Sequence, residues 1–211
     1  MKFKFICIEG NIGSGKTTLT TMLAKDYNAL SILERFDDNP FLPAFYQDRE
    51  RFAFPVEIFF LAERHKQMQS ELSVSNMFHD ITIADYCFYK TVLFARQNLN
   101  ETEYGLFYKL YKQLNHQLIQ PEAIVYLHRP VDALLKNISK RNRSFEKDIS
   151  SEYLGNISSA YLNYLGSRKE IPVFVIHLNE LDFEGDLYVY SLVKEIIGSE
   201  ETFMGQRDFY L

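Results

Sequence analysis

A short apolar run, a glycine-rich loop and a helical pattern follow one another at the start of this chain, and they constrain its fold more than any other stretch. The apolar run covers residues 3–9 and the helical pattern covers residues 19–27. The loop between them reads G-x-x-x-x-G-K-T, which in a strand–loop–helix setting is the phosphate-binding P-loop. The residues expected to surround a phosphate group are consecutive: Gly10, Asn11, Ile12, Gly13, Ser14, Gly15, Lys16, Thr17 and Thr18.

Each residue type in this loop has a chemical task. Glycines at positions 10, 13 and 15 allow positive φ and a close approach of the backbone to phosphate. The backbone amides and the helix N-terminus then present partial positive charge to the anion. Lys16 adds a full positive charge for the β- and γ-phosphates, and the Thr17 hydroxyl is a ligand for Mg²⁺. The motif therefore predicts that the chain binds a nucleoside triphosphate.

The composition fits a single globular domain over residues 1–211, with 46% hydrophobic and 24% charged residues. The net charge of −5 argues against a general nucleic-acid-binding surface, so no nucleic-acid partner is expected. The two cysteines, Cys7 and Cys87, are too few for a disulfide framework. No apolar run has the length of a membrane span or of a secretory signal, so we expect a cytoplasmic protein without a membrane partner.

Strand and helix patterns alternate along the chain. Five apolar runs have the length of strands, at residues 3–9, 29–33, 81–84, 123–127 and 173–176. Helical patterns cover residues 19–27, 40–46, 52–72, 86–97, 101–119, 131–141, 151–165 and 187–197. This alternation predicts an α/β fold in which a five-stranded parallel sheet is flanked by helices on both faces.

Polar residues follow the predicted strands, at the points where the strands would end. They are Gly10, Glu34, Asp85, the pair His128-Arg129, and Asn179. Ligands of parallel α/β sheets bind beyond the carboxyl ends of the strands. Because burial alone would not select polar residues at one edge of an apolar sheet, we expect a binding site there.

Several classes of P-loop protein can be compared with this sequence. A GTPase would carry a guanine-reading N-K-x-D motif, which is absent, and no switch-like D-x-x-G follows Asp85. A nucleoside monophosphate kinase would use a P-loop and a basic lid, and typically an arginine near the second strand for the acceptor phosphate. A kinase whose acceptor is a neutral hydroxyl needs a base instead, and Glu34 at the end of the second strand is placed for that role.

Three motifs in order make the chain similar to the deoxyribonucleoside kinases, and to their bacterial purine branch in particular. They are E-G-N-I-G-S-G-K-T-T at 9–18, L-E-R-F-x-x-N-P-F-L at 33–42, and a basic segment followed by E-Y-L at 152–154. The resemblance implies a P-loop kinase fold, ATP and Mg²⁺ as donor and metal, a deoxynucleoside as partner, and a homodimer. The aromatic and aliphatic stripe at 106–118 is either a dimer interface or ordinary core.

The resemblance also implies roles for the phosphate-handling residues. Glu34 would accept the proton of the 5′-hydroxyl, while Lys16 and Arg141 act on the transferring phosphate, with Arg143 as a second arginine of a lid at about 137–150. Arg141 and Arg143 are two positions apart and cannot share a helix face, so the helix should end near Asn142.

The acidic residue after the third strand departs from the family in its neighbours. Asp85 would hold Mg²⁺ through water, with Thr17 as the direct ligand. Tyr86 and Cys87 follow it where the family has Arg-Ser. The arginine that usually steadies the reacting groups is therefore missing, and Lys90 or Arg35 is expected to replace it.

For the nucleoside sugar, the resemblance implies that Tyr46 and Glu152 bind the 3′-hydroxyl. For the donor nucleotide, it implies that the loop containing Asp182 and Phe183 contacts the adenine of ATP.

For the nucleobase, the resemblance points to Glu57, Arg64 and Phe94. Glu57 and Arg64 are seven residues apart, so they lie on one face of a helix. The family usually has glutamine at position 57. An ionised glutamate only accepts hydrogen bonds and suits guanine, whereas a protonated one, or Arg64 as the donor, suits adenine, so the choice between the two purines stays open.

Two other functions remain compatible with the sequence. One is a nucleoside monophosphate kinase, which would phosphorylate a deoxynucleotide rather than a deoxynucleoside. The other is a non-catalytic regulatory module, which would bind the nucleotide without turnover.

Overall fold

The computed structural model describes residues 2–35, 39–143, 146, 149–183, 185–199 and 201–211, except for the side chains of 74–78. Six strands occur in these residues: β1 (Phe5–Gly10), β2 (Leu30–Ile32), β3 (Thr82–Ala84), β4 (Ala123–His128), β5 (Pro172–His177) and β6 (Gly205–Tyr210). The helices there are α1 (Lys16–Tyr27), α2 (Leu42–Gln47), α3 (Arg49–Phe78), α4 (Lys90–Asn98), α5 (Glu101–Asn115), α6 (Val131–Arg141), α7 (Ser151–Ser167) and α8 (Leu187–Gly198).

The strands form one parallel sheet in the order β2-β3-β1-β4-β5-β6. Alternate residues of the central strands face opposite layers: Ile8 packs with helices α1 and α8, whereas Cys7 packs with α3, α4 and α5. On the same side as Cys7, Tyr126 of β4 packs with α6 and α7. Parallel strands covered on both faces are expected to be apolar throughout, and every residue of β1 is buried. The predicted α/β architecture is confirmed.

The sheet has six strands instead of the five predicted. The additional strand, β6, has the sequence G-Q-R-D-F-Y and pairs with β5 from Pro172↔Gly205 to His177↔Tyr210. An edge strand pairs on one side only, so its exposed residues can be polar. A polar hexapeptide of this kind lacks the apolar run by which the other strands were recognised.

Two helix boundaries differ from the prediction in ways that affect the site. Helix α1 begins at Lys16 rather than Leu19, so the P-loop leads directly into the first helical turn. Helix α4 begins at Lys90 rather than Tyr86, because the Cys87 N–H donates to the buried Glu9 carboxylate at 2.7 Å, outside any helical ladder. No helix in the described residues is both long and apolar enough to cross a membrane.

Candidate active site

A cleft of about 520 Å³ lies beyond the carboxyl ends of β1, β2 and β3, within the size range of small-molecule sites. From the P-loop, it is lined by Ile12, Gly13, Gly15, Lys16, Thr17 and Thr18, whereas Gly10, Asn11 and Ser14 lie behind them. Of the other strand-end residues, Glu34, Asp85 and Arg129 line the cleft. His128 does not, since its ring packs against His177 with centroids 4.7 Å apart.

The P-loop has the backbone conformation that its glycines predict, with one exception. Gly13 and Gly15 have φ of 80° and 93°. Gly10 does not have positive φ; it ends β1, and a Cβ there would collide with the Ser14 side chain. Gly10 is therefore needed for close packing beneath the loop, whereas Gly13 and Gly15 are needed for backbone conformation.

Side chains from other elements hold the P-loop in place. The Asn11 amide donates to Leu154 O at 2.8 Å and to Ser158 Oγ at 2.7 Å. Asn137 Nδ2 donates to Gly13 O at 2.9 Å. Arg129 Nε donates to Ser14 O at 3.0 Å, and its Nη1 donates to Asn179 O at 3.1 Å. These bonds use carbonyl groups and the Asn11 side chain, so they occupy no amide of the loop. Within the loop itself, the Ile12 N–H donates to Asn11 Oδ1 at 2.8 Å and the Ser14 N–H donates to Asn11 O at 3.2 Å.

Glu34 lies opposite the P-loop with cations on both of its oxygens. Arg64 donates to Oε1 from Nε at 2.7 Å and from Nη2 at 2.5 Å, and Lys90 Nζ donates to Oε2 at 2.5 Å. Burial opposes ionisation of this carboxyl, but the charges of Arg64, Lys90 and Lys16 outweigh it and hold its pKa well below the ordinary value. Glu34 is therefore a carboxylate at neutral pH.

Lys16 shares this cationic space. The pKa of Lys16 is lowered to about 8, chiefly by burial and then by the nearby charge of Lys90, while the carboxylates of Glu34 and Asp85 act in the opposite direction. Its Nζ contacts Asn11 O at 3.4 Å. An ammonium group with this environment is suited to an incoming anion, which would offset both the burial and the repulsion from Lys90.

Thr17 and Asp85 supply two oxygen atoms that could hold a metal. Thr17 Oγ1 donates to Asp85 Oδ2 at 2.6 Å, and Asp85 Oδ1 accepts the Glu34 N–H at 2.7 Å. Mg²⁺ is commonly held by one or two protein oxygens, waters and substrate phosphates, and this pair fits that pattern. In the described part of the chain, no group of three or more His, Cys, Asp or Glu side chains could hold a metal.

The other end of the cleft contains Glu57 and Arg64, as predicted from their spacing, together with Phe60, Phe94 and Asn98. Asn98 Nδ2 donates to Glu57 Oε1 at 2.6 Å. Burial raises the pKa of Glu57 to about 7, against the opposing effects of Asn98 and Arg64. Within the described residues, Glu57 Oε2 and Arg64 Nη1 are buried atoms without a hydrogen-bond partner.

The basic segment leaves its helix where predicted. Helix α6 ends at Arg141, and Asn142 has φ of 53°, the left-handed conformation of a helix C-cap. Arg141 and Arg143 both line the cleft and both pair with Glu146: Arg141 Nη2 lies 2.5 Å from Oε2, and Arg143 Nη1 lies 3.4 Å from Oε1. Residues 144, 145, 147 and 148 of the predicted lid, including Lys147, lie outside the described residues.

Glu152 is not in the cleft. It lies in the first turn of α7, where it is exposed, and the residues of that turn that point inward are Tyr153 and Leu154. Of the acidic residues in the basic segment and the first turn of α7, Glu146 is the one that lines the cleft with Tyr46, and it is 5% exposed. Burial raises the pKa of Tyr46, and the nearby Tyr153 and Glu146 raise it further. Tyr46 and Glu146 are therefore close enough to act on one another.

Sequence reasoning missed Glu146, Asn98 and Phe60, placed Arg129 at a strand end without giving it a role, and left Lys90 as one of two alternatives. Arg35, the other alternative, pairs with Glu71 at 3.2 Å and its side chain is 63% exposed. For Glu146 a signal was present: it lies three residues after Arg143 in the basic segment. Asp182 and Phe183 do line the cleft, and the Phe183 ring lies against Gly15.

The family model described as "Deoxynucleoside kinase" matches residues 6–198 of this chain. A deoxyguanosine kinase of Bacillus subtilis is 40% identical over 204 residues, covering 92% of this chain and 97% of the relative. The deoxyadenosine/deoxycytidine kinase of the same organism is 30% identical over 193 residues, covering 88% and 87%.

Among solved structures, a deoxyadenosine kinase from M. mycoides with dATP bound has the same fold, with a TM-score of 0.76 at 24% identity. It matches 92% of this chain and 100% of that one. The fold, the P-loop that faces a buried glutamate and the similarity to these relatives all indicate the same family. The chain belongs to the deoxynucleoside kinase family and is a deoxyribonucleoside kinase.

Proposed function

We propose that the chain transfers the γ-phosphate of ATP, with Mg²⁺, to the 5′-hydroxyl of a purine deoxyribonucleoside, and that deoxyguanosine is its preferred substrate. The observation that carries this proposal is the position of Glu34, an ionised and buried carboxylate across the cleft from Lys16 and the P-loop amides. A base and a phosphate cradle facing one space are the two parts that phosphoryl transfer to an alcohol requires.

The phosphate side of the reaction is assigned to four groups. Lys16 and the P-loop amides hold the β- and γ-phosphates. Arg141 and Arg143 stabilise charge on the transferring group. Thr17 and Asp85 hold Mg²⁺, which would supply further neutralisation of the phosphate charge. Glu34 accepts the proton of the 5′-hydroxyl as its oxygen bonds to phosphorus, a role worth about 10²–10⁴ in rate.

The nucleoside side requires one change from the sequence prediction. Tyr46 and Glu146, rather than Tyr46 and Glu152, are assigned to the 3′-hydroxyl, because Glu146 lies in the cleft and Glu152 does not. A tyrosine hydroxyl that donates and a carboxylate that accepts together satisfy a sugar hydroxyl. Asp182 and Phe183, next to Gly15, are assigned to the adenine of ATP.

The base pocket favours a purine that offers both donors and acceptors. Ionised Glu57 accepts from the N1–H and N2–H groups of guanine, and Arg64 Nη1 donates to an acceptor of the same base. Phe94 and Phe60 supply flat apolar surface for the ring. The 40% identity to a deoxyguanosine kinase supports the same choice.

The assembly and location are also proposals. We assign a homodimer to the exposed face of α5, where Leu106 is 52% and Leu110 is 38% exposed. A cytoplasmic location agrees with the two free, buried cysteines, since disulfides are rare in reducing compartments.

The test is a substrate panel with a base variant. We expect turnover of deoxyguanosine first, deoxyadenosine second and pyrimidine deoxynucleosides last, and none of deoxyguanylate or deoxyadenylate. Glu34→Gln should keep ATP binding and lower kcat by about 10²-fold or more. A kcat near that of the wild type in Glu34→Gln would show that Glu34 is not the catalytic base. Phosphorylation of the monophosphates would indicate a nucleoside monophosphate kinase, and ATP binding without turnover would indicate a regulatory module.

A further inference from the structure

Lys90 is the first residue of α4 and its side chain is only 6% exposed, yet it lines the cleft. A buried ammonium group is costly unless it is paired. Its Nζ pairs with Glu34 Oε2 at 2.5 Å, and the Phe94 ring lies 5.7 Å away. The loop that leads to it is held by Glu9, which accepts the Cys87 N–H at 2.7 Å and the Tyr161 hydroxyl at 2.9 Å.

The two oxygens of Glu34 are not equally occupied. From the described residues, Oε1 accepts two hydrogen bonds, both from Arg64, whereas Oε2 accepts one, from Lys90. A carboxylate oxygen has about two lone-pair directions, so Oε2 has room for another donor and Oε1 has none. The hydrogen of an acceptor hydroxyl therefore reaches Glu34 at Oε2, next to the Lys90 ammonium group.

Lys90 and Lys16 both line the cleft with Glu34. Each is close enough to Glu34 to act on its charge, and the two repel one another. The Glu34 carboxylate offsets only part of the burial and repulsion, since the pKa of Lys16 stays lowered, so a second anion in the cleft would stabilise both ammonium groups. The transferring phosphate group, held by the P-loop on one side and approached by the sugar oxygen on the other, is that anion.

We propose that Lys90 is a catalytic residue, whose ammonium group fixes Glu34 Oε2 as the proton-accepting atom and then stabilises the transferring phosphoryl oxygens. This inference rests on the proposed function. In the step, the 5′-O–H proton moves to Glu34 Oε2, a bond forms between the 5′-oxygen and the γ-phosphorus, and the bond between that phosphorus and the β–γ bridging oxygen breaks, with its electron pair leaving on ADP. Protonation of Oε2 removes the negative charge that held Lys90, so the ammonium group becomes available to the phosphoryl group.

The test compares Lys90→Met, Lys90→Arg and the matched control Arg35→Met. Methionine keeps the length of the side chain and removes the charge. We expect Lys90→Met to lower kcat by about 10²–10³ with little change in the KM for ATP, the size of the loss when one stabilising donor is removed. Lys90→Arg should recover part of kcat. Arg35→Met should behave as wild type, because its side chain is exposed and pairs with Glu71.

A pH–rate profile separates this role from a structural one. Within the described residues, the charged groups that act on Glu34 or bond to it are Arg64 and Glu57 on α3, Lys90 on α4, Lys16 on α1 and the Asp85 carboxylate after β3. Without Lys90, the pKa of Glu34 rises towards its ordinary value. In a Glu57→Gln background, which removes the ionisation near pH 7, the acid limb of kcat/KM should therefore lie at a higher pH in Lys90→Met than in the parent. Lys90→Arg should leave that limb in place.

Two outcomes would overturn the inference: a kcat for Lys90→Met within about threefold of wild type, or an acid limb that does not move. If urea denaturation shows that Lys90→Met is unfolded, the Lys90→Gln variant decides instead. A folded Lys90→Gln variant with full kcat would contradict the role, and a folded one with low kcat would uphold it. If Glu34→Gln is inactive while Lys90→Met is normal, the proposed function stands and this inference fails.

Discussion

At the scale of single residues, Glu57 is the side chain whose protonation we expect to decide what the proposed base pocket can bind. Its pKa is raised to about 7, chiefly by burial, and its Oε1 is already bonded to Asn98. Oε2 is an acceptor when the group is ionised and a possible donor when it is protonated. The same pocket therefore presents two different patterns on either side of neutrality.

We predict that the kcat/KM ratio of deoxyguanosine to deoxyadenosine rises about tenfold between pH 6 and pH 8, following one ionisation near pH 7. Glu57→Gln should remove this pH dependence, because an amide does not titrate. Steady-state kinetics with both substrates across this range measure it. A ratio that stays constant with pH in the wild type would show that Glu57 does not read the base.

The ionisation of Glu57 also affects the free energy of unfolding, and the direction of this effect follows from the direction of the pKa shift. The folded-state pKa is about 7 and the ordinary value is 4.5, so the folded protein holds a proton that the unfolded chain releases between these values. The stabilisation is fully present below pH 4.5 and is lost as the pH rises through 7. Relative to Glu57→Gln, the wild type should lose at most roughly 3 kcal/mol of unfolding free energy between pH 5 and pH 8, measured with urea.

Glu146 and Glu152 form a matched pair of carboxylates that differ in burial. Glu146 is buried in the cleft with Arg141 and Tyr46, whereas Glu152 is exposed on α7. We predict that Glu146→Gln raises the KM for deoxynucleoside at least about tenfold, the effect of weakening a charged hydrogen bond to a substrate hydroxyl. Glu152→Gln should change it less than about twofold. A larger rise in KM for Glu152→Gln than for Glu146→Gln would show that Glu152, and not Glu146, binds the sugar hydroxyl.

At the scale of secondary structure, α5 is a helix whose outer face is not covered in the chain itself. It begins with a capping box, in which the Asn100 side chain accepts from the Glu103 N–H and the Glu103 side chain accepts from the Asn100 N–H. Tyr111 packs inward, whereas Leu106 and Leu110, one turn apart, are exposed. The stripe seen in the sequence thus contains both core and surface residues, and the surface part is the candidate interface.

We predict that Leu106→Glu combined with Leu110→Glu shifts the protein from dimer to monomer, because two buried charges would face one another across a symmetric interface. Analytical ultracentrifugation measures the change. Leu187→Glu on α8, where the side chain is 72% exposed, is the control and should leave the dimer intact. A wild-type protein that sediments as a monomer would contradict the assignment.

At the scale of the whole molecule, the parts predicted from sequence are those with a strong local pattern. The P-loop, the parallel order of apolar strands and the joint placement of Glu34, Asp85 and Lys16 follow from short runs and from the geometry of parallel sheets. Strand β6 could not be predicted, because its stability comes from pairing with β5 rather than from its own apolar pattern.

The errors in the site have a similar origin. Glu146 lies in irregular chain between two helices, where no periodicity shows which way a side chain points. Lys90 reaches Glu34 because the loop 86–89 donates to Glu9, which also accepts the Tyr161 hydroxyl, and both of these residues are distant in sequence. Long-range hydrogen bonds of this kind leave no pattern within a window of neighbouring residues.

Arg64 connects the two ends of the cleft through one rigid group. Its Nε and Nη2 hold Glu34, while its charge acts on Glu57, and the guanidinium is planar, so neither side can be moved alone. A nucleobase that shifts the Arg64 guanidinium would therefore also displace the Glu34 carboxylate, the proposed proton acceptor. If Arg64 contacts the nucleobase as proposed, mismatched nucleosides would be penalised during the chemical step even after they have bound, and fidelity would belong to catalysis as much as to recognition.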